Sequence, residues 1–282
     1  MITATLQTWL DSARAVLRDA RALAIFAGLY ALLLVTFYIF IATREATVWQ
    51  VLITYAFLVL MPAEFFVFQS AIVEHARIGK FSWRQIVRGA IKLFIATIPI
   101  VVIALVFWAL LDKFQLRYPT PKAALAESLR GAPKPQPLHW PTVIFATIRF
   151  LIFAIALPLA TIHLWARVSA GDIRTLFSGG AEASVRRIGG WLARAFASDS
   201  VLIYALGAIL FAFIPYAVIF IKISPKGTKT DFAVFIAQLL IAFCFSLIGW
   251  IVTVTALSKL NTQTSIADVP QRAPSTPAEA PA

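Results

Sequence analysis

The sequence predicts an all-α integral membrane protein with about six transmembrane helices and amphipathic interfacial helices, and three observations carry that prediction. The chain is 60% hydrophobic and 13% charged, roughly half the charged share that clothes a soluble domain. Its mean hydropathy is +0.84. Six apolar runs each reach the length of about 20 residues that a helix needs to cross a hydrocarbon layer about 30 Å thick. A soluble protein with an oversized core is excluded, because surface-to-volume scaling still demands a polar shell. The runs are continuous rather than alternating, so helices fit them and barrel strands do not.

Residues 1–21 come first. Ile2, Leu6, Trp9, Leu10, Ala13, Val16 and Leu17 fall at helical three- and four-residue steps, with Arg14, Arg18 and Arg21 among the remainder. That pattern predicts an amphipathic helix lying in the headgroup layer, in preference to one packed on protein. The membrane domain, 22–258, follows with spans near 22–43, 46–73, 93–111, 142–166, 201–221 and 232–258. The first run is longer than a secretory apolar region and is read as a retained span. Residues 259–282, rich in Pro, Ala, Ser and Thr, are expected to form a disordered cytoplasmic tail.

Two connections, 77–92 and 169–200, mix apolar with basic residues and read as interfacial elbows, the second broken at Gly179-Gly180. Pro62 and Pro158 lie in the spans before them, Pro99 and Pro215 in the spans after, which suggests an internal duplication. Between Asp112 and Pro141 six prolines predict an extended segment with one short helix at 123–129. With the N-terminus inside, the inner segments hold fifteen Lys and Arg against nine outside. That excess places both termini in the cytoplasm of a bacterial-type inner membrane.

The net charge of +12 is read as a match to anionic headgroups, since no basic soluble domain is present to hold nucleic acid. Arg77, Lys80, Arg84, Arg88, Arg174, Arg186, Arg187 and Arg194 are the expected headgroup contacts. Glu64 and Arg149 are the ionisable residues well inside spans, where charge is costly and marks pairing or function. Two readings stand side by side. Either they form an interhelical ion pair, or Arg149 reaches outward and Glu64 is a lone neutral acid.

Cys244, the single cysteine, excludes an intrachain disulfide and a CxxC pair, and its apolar run predicts buried packing. Glu74, His75 and His163 fall near inner span ends, yet HExxH and similar spacings are absent, so no metal site is expected. No nucleophile elbow, phosphate loop or dinucleotide fingerprint appears, so no catalytic residue or cofactor is assigned. Gly179-Gly180 and Gly189-Gly190 read as breaks or close-packing points. Trp49, Trp108, Trp140, Trp165 and Trp250 fall near span ends and are expected to anchor the interface.

The repeated arrangement of proline-bearing span, basic elbow and next span resembles bacterial six-helix membrane proteins of unknown function. It is similar in style to the membrane domain of some glycerophosphodiester phosphodiesterases, without their catalytic barrel. The resemblance covers residues 22–258 and implies architecture alone. The expected function is a non-enzymatic membrane component engaging anionic lipid or a partner, either another membrane protein or a second copy of itself. The alternative is a small permease working through Glu64. A polar cavity lined by Glu64, Gln69, Thr161 or His163 favours the permease; a core filled with Phe, Leu and Ile favours the component.

Overall fold

In hydrocarbon the backbone has no partner but itself, which makes helix the economical answer for runs this apolar. The computed structural model describes residues 2–43, 47–118, 139–171, 189–190, 193–221 and 227–267. We number its long helices α1 (Ile2–Arg18), α2 (Ala20–Ala42), α3 (Val48–Ile78), α4 (Trp83–Gln115), α5 (Trp140–Ala170), α6 (Ser198–Phe220) and α7 (Thr228–Ala267). Six of them, α2 to α7, are long and apolar enough to cross a membrane, and the protein is an all-α integral membrane fold.

The helices pack at one end and spread at the other. Phe26, Ile72, Leu93, Leu159, Ile162, Ile203, Ile251 and Leu257 are all within 1% of complete burial. They lie in the halves of α2 to α7 nearest Ala20, Ile78, Trp83, Ala170, Ser198 and Ala267. We call this the packed end. The opposite halves bury little beyond Thr36, Leu111, Pro215 and Ala242, and leave Val59, Leu105, Phe213 and Phe232 outward. Lipid supplies the missing contacts there, since acyl tails are as apolar as leucine.

The packed end corrects three expectations. The helix expected in the headgroup layer, α1, packs on α7 and the start of α6, burying Thr5, Ser12 and Val16, while Thr5 donates to Asp199 at 2.8 Å. The first elbow is not a separate interfacial helix. Instead α3 runs on to Ile78 and α4 begins at Trp83. Gly79 ends α3 in the left-handed region (φ 71°), where a missing Cβ removes the steric penalty, and its N–H donates to the His75 carbonyl at 2.8 Å. Ile86 and Ala90, within the stretch read as an elbow, and Leu93 after them face the core. Ser70 donates to the Ile86 carbonyl at 2.8 Å, and a Cβ on Gly89 would stand 2.3 Å from the Ser70 hydroxyl, so α3 and α4 approach closely. Third, the tail expected from 259 continues α7 as far as Ala267.

The four span prolines are accommodated in two ways. Pro62 and Pro99 sit within uninterrupted α-helix. Pro158 and Pro215 each follow a π-helical turn, Leu151–Ala156 and Ile209–Phe213. Each π turn loosens the spiral just where the pyrrolidine ring would strike the carbonyl four residues back. The two halves of the suggested duplication therefore differ in their proline geometry. Gly179-Gly180, the short helix at 123–129 and the residues after 267 lie outside the described residues.

Candidate functional site

Basic side chains gather where α3 turns into α4. Arg77 is tied to Glu74 at 2.8 Å. Lys80, Arg84 and Arg88 are exposed, Lys92 is half-buried, and none of the four makes an ion pair with a described residue. Arg194 is exposed and already has a partner. Arg174, Arg186 and Arg187 lie outside the described residues.

The two intramembrane charges are not brought together. Among the described residues Glu64 and Arg149 form no ion pair, because each has a nearer partner. Arg149 donates to Asp112 at the end of α4 away from the packed end, and its guanidinium stands 5.0 Å from the centre of the Trp108 ring. Asp112 was read as loop; the extension of α4 past the apolar run is what delivers it. Glu64 accepts from the buried Thr36 of α2 at 3.0 Å, and its second oxygen, Oε2, is buried with no hydrogen-bond partner.

A second polar set lies in the core. Trp250 donates to Gln69 Oε1 at 2.9 Å, and His163 Nδ1 stands 3.0 Å from Asn261 Oδ1. His75 Nε2 lies 3.5 Å from Asp19, and its ring stacks on Phe81 at 4.8 Å. Asp19 also accepts from the Ala22 N–H, capping α2. Among the described residues no group of three His, Cys, Asp or Glu could hold a metal ion. Trp165 is 3% exposed and donates to Thr97 at 2.8 Å. Trp165 and Trp250 thus belong to the interior rather than to an interfacial belt, whereas Trp49 and Trp140 are exposed at span ends. Cys244 is exposed on α7, against the buried role expected for it. Gly189 and Gly190 have nothing within 4 Å of an added Cβ and are not close-packing points.

Between α4 and α5 lies a cavity of about 320 Å³. Ile100, Val101 and Ala104 line it from α4 and Phe153, Leu157 and Thr161 from α5, with Phe65 of α3 and Trp250 of α7. The polar groups in its wall are already engaged. Thr97 donates to the Leu93 carbonyl and Thr161 to the Leu157 carbonyl, each at 2.7 Å, and the Trp165 indole N–H is held by Thr97. Glu64, Gln69 and His163 are not among its lining residues. Such a surface offers dispersion contact to hydrocarbon and no spare proton to a polar solute.

No family model, curated protein or solved structure matches this chain.

Proposed function

We propose that this protein is a non-enzymatic component of a bacterial-type inner membrane, with both termini cytoplasmic, whose basic packed end engages anionic headgroups or an acidic partner protein. The observation that carries the reading is the group Lys80, Arg84 and Arg88. All three are exposed, Lys80 in the α3–α4 turn and the others in the first turns of α4, and none forms an ion pair with a described residue. Basic side chains at a membrane surface each gain about 1 kcal/mol from anionic lipid. The filled core at the packed end and the apolar wall of the α4–α5 cavity agree with a component better than with a solute pathway.

The test is lipid retention by native mass spectrometry, from nanodiscs holding equal phosphatidylglycerol and phosphatidylcholine. Wild type is expected to retain the glycerol lipid preferentially, and Lys80→Gln/Arg84→Gln/Arg88→Gln to lose most of that preference. Equal retention of both lipids by wild type would defeat the lipid reading.

One observation favours the permease as a second reading: the buried, unpartnered Oε2 of Glu64. With Cys244 replaced by Ser, a cysteine at position 64 tests it. Labelling by a membrane-impermeant maleimide from one side would support a water path; protection from both sides would close it.

A further inference from the structure

The geometry points to a seat for one anionic phospholipid at the α4–α5 seam, with an acyl chain in the cavity and the headgroup at Lys92. This inference rests on the proposed lipid engagement and names the place and the ligand.

The seam is closed at two levels and open between them. Toward the outer end, Trp108 meets Phe153 edge-on at 5.5 Å, and Arg149 reaches Asp112. Toward the packed end, Ala96 packs on Val168, and Trp165 binds Thr97 at 2.8 Å. The π turn Leu151–Ala156 carries Phe153, and beyond it, alongside Leu157, Pro158 and Thr161, α5 stands off from Ile100 and Ala104 of α4. The gap holds the cavity of about 320 Å³. Val101 at its edge is 49% exposed, so the cavity opens sideways, toward lipid. A void lined by spent hydroxyls and apolar carbons loses dispersion contacts unless hydrocarbon enters it.

The headgroup end follows from helical spacing. Lys92 lies one turn below Ala96, which Val168 covers, so a chain anchored at Lys92 passes that contact on the lipid side, over the exposed Ile95 and Ile98, and enters the cavity at Val101. Ile100 lies roughly 12 Å and Ala104 roughly 18 Å above Lys92, an acyl-chain distance. Lys92 is half-buried with no ion pair among the described residues. Its stem leans toward the packed end, where the ammonium meets phosphate. Charge below and hydrocarbon above select an anionic phospholipid of the inner leaflet over a zwitterionic one.

Native mass spectrometry from nanodiscs of phosphatidylglycerol and phosphatidylcholine with identical chains separates the possibilities. Wild type is expected to carry one tightly held phosphatidylglycerol. Lys92→Gln should lower its retention over phosphatidylcholine about fivefold. Ala104→Phe, which fills the cavity, should lower retention of both lipids; Val101→Trp, at the lipid-facing edge, does the same should the first variant fail to fold. Loss with Lys92→Gln but not with either filling variant overturns the acyl seat. Wild-type retention by all three, with loss in Lys80→Gln/Arg84→Gln/Arg88→Gln, overturns the seam site and leaves the proposed function standing. No preference in wild type overturns both.

Discussion

Tyr204 donates its hydroxyl, at 2.7 Å, to the carbonyl of Ala154, the acceptor that Pro158 four residues later has no N–H to reach. The same solution appears a second time. Ser246 of α7 donates at 3.1 Å to the carbonyl of Phe211, four residues before Pro215. In each case a neighbouring helix supplies what the proline withholds, so a kinked helix is locked to its neighbour at the kink.

Tyr204→Phe is therefore expected to destabilise the bundle by about 1–2 kcal/mol, the range for a hydrogen bond between membrane helices. Tyr216→Phe, at an exposed tyrosine on the same helix, should be near neutral. Pro158→Ala returns an amide to the Ala154 carbonyl, so Tyr204→Phe should cost less in that background. Unfolding in mixed micelles reads all three. Equal losses for Tyr204→Phe with and without Pro158 would show that the proline and the hydroxyl are not linked.

Arg149 and Asp112 should couple, and Arg149 and Glu64 should not. A double-mutant cycle on Arg149→Gln and Asp112→Asn is expected to give a coupling on the order of 1 kcal/mol or less, since both side chains are partly exposed. The cycle on Arg149→Gln and Glu64→Gln should close to zero. Expression of the swap Glu64→Arg/Arg149→Glu should then be no better than that of either single change. Rescue by the swap would reinstate the direct pair.

Small residues let α6 and α7 touch. A Cβ on Gly207 would stand 1.9 Å from the Thr253 hydroxyl, and one on Gly249 would stand 2.7 Å from the backbone nitrogen of Phe211. Gly207→Ala should cost about 1–3 kcal/mol by overpacking, and Thr253→Ala should return much of that loss by vacating the space. Gly28→Ala, with nothing within 4 Å, should be neutral or gain a few tenths of a kcal/mol through helix propensity. Thermal unfolding in nanodiscs distinguishes them. A mild Gly207→Ala would mean that the helices separate freely there.

Cys244 offers a built-in reporter. A spin label on this exposed thiol of α7 should collide with oxygen far more than with a water-soluble nickel chelate, because its neighbours Ile241 and Phe245 are also outward. Greater access for the chelate would place that face of α7 against water.

Hydropathy made the six spans and their order legible, because a window of apolar residues reports the solvent that surrounds a helix. It says less about what lies past that solvent. Trp83–Lys92 is too polar to extend an apolar run, yet it continues α4, since Ile86, Ala90 and Leu93 form one face that α3 covers. The partners of Glu64 and Arg149 were hidden for a related reason. Depth alone allows many pairs, while rotation of each helix selects Thr36 and Asp112. Trp165 and Trp250 carry the composition of interfacial anchors, but each finds an acceptor on another helix, half-buried Thr97 and buried Gln69, which no window centred on tryptophan contains. Cys244 failed in the opposite direction, because an apolar neighbourhood in sequence is equally the mark of a lipid-facing surface.

The seat of α1 on α7 has a consequence for the order of events during synthesis. The helix α1 docks chiefly against α7, beside the start of α6 and α2, so most of its seat is missing while the helices before α7 are made and inserted. Ile251, Val252, Val254 and Leu257, which close the packed end, likewise arrive with that last helix. Translation intermediates halted before residue 228 should leave α1 open to protease, and completion of α7 should protect it, so that the chain folds as a ring whose two ends meet last.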